Sequence, residues 1–224
     1  DIFLDRDISG LCAAPYRRSH AGGCGLSMEG LPPLLIPPLP APFVGGDISA
    51  GLLRLLADGL PRPLLLADLG TNGELALVDA QGRLWLASVP LGPALEGIGP
   101  QCGRMAGPGS ITRFEVSPLG LSCHSVDGPL AAGADVQGIS ATGYLSLLAL
   151  LLRLGCLDAD GHFRTPASPL ARRVAPPPRQ SRTGLCLPLP YGQWLAAADV
   201  EELLKVKAAF SQALEALLRA AGRQ

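Results

Sequence analysis

Asp68, Thr71, Asn72 and Glu74 fall within one seven-residue stretch, Asp68-Leu69-Gly70-Thr71-Asn72-Gly73-Glu74. Residues of these types at this spacing can do phosphate chemistry. Gly70 and Gly73 lack Cβ, so their backbone N–H groups can come close to an anion, while Thr71 and Asn72 add side-chain hydrogen bonds. Asp68, at the end of the preceding strand, is suited to holding a hydrated divalent metal, as carboxylates in phosphate sites do. The same residues also fit an ordinary hairpin, because Asn-Gly is the commonest short hairpin signal. Spacing alone leaves both readings open.

The elements around this stretch are legible from the pattern. Leu64-Leu65-Leu66-Ala67 is an apolar run with no polar break, which predicts a strand buried on both faces. A second strand follows from Glu74 to Val78, and Val78-Asp79-Ala80-Gln81-Gly82-Arg83 turns the chain into a third, Leu84 to Ser88. Upstream, Asp47 is placed to N-cap a helix through Ile48, Leu52, Leu53, Leu55 and Leu56, stopped near Gly59-Leu60-Pro61.

Two further glycine-rich segments bear on chemistry. Gly92 to Gly103 can wrap a phosphate or let two backbones meet, and Glu96 within it can orient a water or a metal or simply stay solvated. Its glycine spacing is wrong for a dinucleotide fingerprint. Gly138-Ile139-Ser140-Ala141-Thr142-Gly143 precedes an apolar helix, Tyr144 to Leu154, closed by Gly155. Its hydroxyls can cap that helix or meet an anion. Being apolar nearly all round, the helix is expected to be central. Asp199 followed by Glu202 suggests a capping box for a closing helix, with Val200, Leu203, Val206, Phe210, Leu214 and Leu217 as its core stripe.

Composition narrows the function classes. A chain of 224 residues that is 48% hydrophobic can bury a sizeable core. A net charge of −1 and 4% aromatics argue against nucleic acid and anionic membrane as partners. The six cysteines show no Cys-x-x-Cys spacing, so no zinc or iron–sulfur run is visible, and reduced, buried thiols in a cytoplasmic protein are expected. No apolar run is long enough to span a bilayer. Leu31 to Pro40 is proline-rich and predicts an extended, polyproline-like stretch. His124 has no partner at metal spacing and reads as structural. Residues 158–190, with Pro176-Pro177-Pro178 among arginines, read as a surface excursion. Asp1 in place of Met suggests a part of a longer protein. The organisation expected is a proline-rich lead-in with a first helix over 1–62 and a subdomain carrying the Asp68–Glu74 loop over 63–224, packed as one unit.

Asp68-Leu69-Gly70-Thr71-Asn72-Gly73-Glu74 resembles the second phosphate loop of the superfamily of actin, sugar kinases and heat-shock chaperones. The resemblance is tightest to the ATPase domain of the reductive activators of corrinoid proteins. Gly92-Pro93-Ala94-Leu95-Glu96-Gly97, the segment Phe43-Val44-Gly45-Gly46-Asp47, and Gly138-Ile139-Ser140-Ala141-Thr142-Gly143 are each similar to a family segment, in the family's order. Lys205 and Lys207 lie near the position of a family lysine.

The resemblance implies an α/β, ribonuclease-H-like or actin-like ATPase fold, a mixed sheet flanked by helices, incomplete in this chain. It implies ATP and Mg²⁺ as ligands, with Asp68, Gly70, Thr71, Asn72, Gly73 and Glu74 at the phosphates and Gly92 and Glu96 nearby. It implies a role in ATP-dependent reduction of corrinoid cobalt, with a corrinoid protein as partner and a [2Fe-2S] domain only in the parent. The family's first phosphate loop and its later adenosine turn are not found in this chain. An ATPase in the parent, with this chain inactive alone, is therefore expected. Leu95 stands for the family's Phe, Arg104-Met105 inverts its Met-Arg order, and Ala141 stands for a Gly. Two other readings stay open: a non-catalytic docking domain on the same scaffold, paired with a corrinoid protein or a second copy, and a small-molecule kinase of the same superfamily.

Overall fold

The computed structural model describes residues 17–19, 34–36, 40–41, 43–166, 168–181 and 184–222. In chain order these form β1 (Arg17–Ser19), β2 (Leu34–Ile36), α1 (Gly46–Ala57), β3 (Leu64–Leu69), β4 (Asn72–Val78), β5 (Leu84–Pro90) and α2 (Gly92–Glu96). There follow β6 (Ser110–Ile111), β7 (Arg113–Ser117), β8 (Gly120–Ser125), β9 (Gly128–Pro129), β10 (Gly138–Ile139) and α3 (Ala141–Arg153). The chain ends with α4 (Pro169–Val174), β11 (Arg179–Ser181), β12 (Gly184–Pro188), β13 (Trp194–Ala196) and α5 (Ala197–Ala220). It divides into two units, one up to Val89 together with the segment from Phe210, the other Pro90–Ala209.

The first unit is built on the antiparallel sheet β3-β4-β5. One face carries Leu64, Leu66, Ala76, Val78 and Leu86, which pack against Val44, Ile48 and Leu52 around α1. On the other face Leu75 and Leu77 are covered by Leu217, Phe210 and Leu214 of α5. β3 is an edge strand, and its outward residues stay open: Leu65 is 41% and Leu69 63% exposed. The expected burial on both faces is therefore corrected. An unbroken apolar run cannot distinguish a central strand from an edge strand with one covered face. The proline-rich lead-in lies mostly outside the described residues. Leu34–Ile36 within it is extended and pairs antiparallel with Arg17–Ser19.

The helix caps also differ from expectation. Gly45, not Asp47, is the N-cap of α1, and Asp47 sits in its first turn, where the positive end of the helix dipole favours it. Likewise Asp199 lies three residues into the turn that follows β13. Its carboxylate reaches back to the Ala196 N–H at 2.9 Å and across to the Gln101 N–H at 3.0 Å, so it plays the acidic rather than the cap role of a capping box.

The second unit's core gathers Tyr144, Leu147, Leu150 and Leu151 of α3 with Ile111, Phe114, Ile139, Leu195, Val200 and Leu203. Ser140 caps α3 by accepting the Gly143 N–H, and Gly155 follows its end with φ +67°. Only one face of α3 is buried; Leu145 and Leu152 are exposed. The stretch 158–190 is not a mere surface excursion. Ala171, Val174, Ala175 and Leu187 join the core. Cys102, Cys123, Cys156 and Cys186 are buried thiols, as expected.

One turn device occurs in both units. In Asp79-Ala80-Gln81-Gly82-Arg83, Asp79 Oδ1 accepts the N–H groups of Gln81 and Arg83, and Oδ2 accepts Arg83 Nε at 2.7 Å. In Asp158-Ala159-Asp160-Gly161-His162, Asp158 Oδ1 accepts the N–H groups of Asp160 and His162, and Oδ2 accepts Arg164 Nε at 2.7 Å. Gly82 and Gly161 both take positive φ, +83° and +87°. Each Asp closes an Asx turn that a side chain at its fourth residue, Gly82 or Gly161, would strain.

Candidate functional site

The connection from β3 to β4 is tight. Leu69 pairs with Gly73, Asp68 pairs with Glu74, and the Gly70 N–H donates to the Asn72 carbonyl at 2.9 Å. Asn72 and Gly73 thus belong to β4 rather than to the turn. Neither Gly70 nor Gly73 has positive φ, so this is not the primed turn that Asn-Gly signals. The Gly70 N–H is committed to the Asn72 carbonyl. Thr71, exposed at the tip, remains to face a ligand.

The pairing sets Asp68 and Glu74 on the same side of the sheet. Burial raises the Glu74 carboxyl above its ordinary value, the negative charges of Asp47 and Asp68 raise it further, and a hydrogen bond from the Asn72 side chain opposes them. Asp47 therefore belongs to the same electrostatic neighbourhood. Its carboxylate folds over Gly45: a Cβ built there would lie 2.3 Å from Asp47 Oδ1. The signal in the sequence was the acid directly after two glycines at a helix start.

The glycines of the other segments have different reasons. A Cβ on Gly99 would lie 2.1 Å from the Ala94 carbonyl, and one on Gly103 2.8 Å from that of Pro100. A Cβ on Gly138 would lie 2.7 Å from the Cys102 carbonyl, and one on Gly143 2.3 Å from that of Ile111. These positions let backbone meet backbone. Gly70 differs: a Cβ there would meet Asp68 Oδ1 at 3.6 Å and the Asn72 carbonyl at 3.7 Å, ordinary contacts. Neither its φ nor its protein neighbours require glycine, and a side chain there would stand directly beside Asp68.

Gly92 and Glu96 belong to the second unit, at the two ends of the short α2. Leu95 between them is buried in that unit's core. His124 is structural, its Nε2 3.1 Å from Glu115 Oε2. Among the described residues, one group has ligand atoms close enough to share a metal: Asp158, Asp160 and His162. Both Asp158 oxygens are already taken by the Asx turn and Arg164, which explains the cluster without an ion.

A family model described as "C-terminal domain of RACo the ASKHA domain" matches residues 62–224. The chain belongs to the RACo family. Its fold is that family's ASKHA, or actin-like ATPase, domain, a mixed α/β architecture. The solved structure of a reductive activator for corrinoid,iron-sulfur protein superposes with a TM-score of 0.67 at 28% identity, over 95% of this chain and 34% of that one. The corrinoid activation enzyme RamQ of Eubacterium limosum is 34% identical over 173 residues, 72% of this chain and 27% of that protein. The Co(II) methylated amine-specific corrinoid protein reductase of Methanosarcina barkeri is 31% identical over 144 residues, 56% of this chain and 26% of that protein. The chain thus spans about a quarter of the length of these curated relatives. The RACo match includes β3, the Gly70 turn and β4, and extends through α2 and α5.

Proposed function

We propose that this chain is the phosphate-binding part of an ATP-dependent reductive activator of corrinoid proteins. The observation that carries the reading is the Asp68–Glu74 pair flanking a Gly70 that neither backbone nor neighbours require to be glycine, within an ASKHA domain of the RACo family. Thr71 Oγ and its N–H lie at the tip of the turn to receive a phosphate oxygen, and Gly70 leaves room for its approach. Asn72 favours the ionised form of Glu74, and Gly73 continues the ladder into the buried part of β4.

The donor set fits magnesium. Hard carboxylate oxygens from one or two acids, with water and phosphate completing the shell, are what that ion takes. Asp68, exposed, would hold the ion through water, with Glu74 and Asp47 supplying negative field. When bound, the ion would neutralise phosphate charge. A [2Fe-2S] cluster does not fit the four described cysteines: they are buried, and burial pushes the Cys123 thiol up to about 12, away from the thiolate such a cluster needs. Cluster, corrinoid reduction and the corrinoid-protein partner belong to the longer protein. There, ATP favours one conformation of the complex over another and so drives electron transfer. Calorimetric titration of the chain with Mg-ATP, in parallel with the Asp68→Ala variant, tests the assignment. Saturable binding that the substitution weakens supports it; binding that Asp68→Ala leaves unchanged refutes it.

A further inference from the structure

Carboxylates from three elements meet at one end of the β3-β4-β5 sheet, all within the first unit. Asp68 of β3 and Glu74 of β4 stand opposite each other in the ladder. Alternation along β3 puts Asp68 on the face of Leu64 and Leu66, which is the face that Ile48 and Leu52 of α1 cover. α1 runs close over Leu66: a Cβ on Gly51 would lie 3.2 Å from Leu66 Cδ2. Asp47 stands one helical turn before Gly51, and Asp68 two residues after Leu66. The charge of Asp47 is felt at Glu74, so it is the start of α1 that lies at the acid pair.

A helix start of this kind ordinarily draws anions. The N-cap of α1 is Gly45, which has no side chain to bond the first-turn N–H groups, and Gly46 follows it. Glycines opening a helix suit the approach of a phosphate. Asp47 reverses that preference. It is exposed, lies in the first turn and sets a negative charge on the positive end of the helix dipole. Asp47 forms no ion pair among the described residues, and the only charged groups of β3 and β4 are Asp68 and Glu74.

We propose that Asp47 is a specificity-determining residue, which makes the phosphate site accept a nucleotide carrying Mg²⁺ and reject the same nucleotide without it. The inference rests on the reading of Asp68 to Glu74 as the phosphate turn. Repulsion grows with the charge on the ligand, and Mg²⁺ removes two charges from the triphosphate. A third carboxylate therefore penalises the bare triphosphate more than its magnesium complex, and it adds attraction for the cation itself. Placing an unfavourable charge against the wrong ligand is a general route to specificity. Asp68 would hold the ion, and Asp47 decides what is turned away.

The test is calorimetry of the full chain with ATP, in magnesium and in chelator, at constant ionic strength, for wild type, Asp47→Asn and Asp47→Glu. The readout is the ratio of the two dissociation constants. Asp47→Asn should lower the preference for Mg-ATP about tenfold, chiefly by tightening the binding of metal-free ATP. Asp47→Glu keeps the charge and should keep the wild-type ratio. Added salt should narrow the wild-type ratio, as a charge effect requires. An unchanged ratio in Asp47→Asn overturns the inference and leaves the phosphate turn in place. Equal weakening of both ligands in that variant, with a lowered unfolding temperature, also overturns it and assigns Asp47 to the fold. Failure of the wild type to bind Mg-ATP overturns the phosphate turn and this inference with it.

Discussion

Asp68 and Glu74 stand directly opposite one another in the β3–β4 ladder, two carboxylates in one cross-strand pair. Like charges so placed destabilise a sheet by a few tenths of a kcal/mol to about 1 kcal/mol. Removing one should therefore relieve the fold while harming the site. Asp68→Asn is expected to leave thermal stability equal or slightly higher, and to weaken Mg-ATP binding about tenfold or more. Thermal unfolding and calorimetry on the same preparation check both halves; a destabilised variant would mean that Asp68 serves the fold instead.

The glycines separate two kinds of role. Gly70→Ala is expected to keep the fold, because the new methyl makes ordinary contacts, and to weaken nucleotide binding by filling the space beside Asp68. Gly143→Ala is expected to cost about 1–3 kcal/mol, since its Cβ would press on the Ile111 carbonyl at 2.3 Å. Denaturant titration of the two variants distinguishes them. Equal losses of stability would remove the argument that Gly70 is kept open for a ligand.

Those two glycines also show what could be read from the chain beforehand. The hairpin at Asp68 to Glu74, the α3 cap at Ser140 with Gly155 behind it, and the α5 stripe were all legible, because each depends on residues close in sequence. The reason for Gly143 was not, since it lies in the Ile111 carbonyl, far away along the chain. The open face of β3 was hidden for a similar cause: Leu65 and Leu69 read as core until the sheet order makes β3 an edge. Asp47 and Asp199 were misplaced by two or three residues as caps, because an acid near a helix start fits the cap and the first turn alike. At the candidate site, the geometry was not legible. Nothing in Gly70's spacing shows its N–H bonding Asn72.

Stability should respond to acid through two groups of opposite sign. Burial pushes the Asp79 carboxyl up, but hydrogen bonds from the Arg83 backbone and side chain and from Trp85 outweigh it and hold the group at about 2. With its folded value below the unfolded one, Asp79 contributes stability at pH above roughly 4, lost as the pH falls towards 2. Glu74 is raised, so its ionised form is disfavoured in the fold, and protonation on acidification favours the folded state in the window just above its unfolded value. Asp79→Asn should therefore flatten the acid limb of a stability profile below pH 4, and Glu74→Gln should raise stability at neutral pH. Profiles of the two variants that tilt the same way would contradict these assignments.

The Asp158 turn is expected to be indifferent to metal. Its carboxylate is fully used by two N–H groups and Arg164. Adding Mg²⁺ or a chelator should leave the unfolding temperature of an Asp68→Asn variant unchanged. A rise with Mg²⁺ in that variant would show a cation site away from Asp68.

The central claim is that the turn from Asp68 to Glu74 receives the phosphates of Mg-ATP. Calorimetry of the chain with Mg-ATP tests it most directly, repeated with a non-hydrolysable analogue and with Asp68→Ala. The account predicts saturable, magnesium-dependent binding of both nucleotides that Asp68→Ala weakens at least about tenfold. Binding of equal strength without magnesium, or unchanged in Asp68→Ala, would contradict it, and so would no heat of binding at millimolar nucleotide.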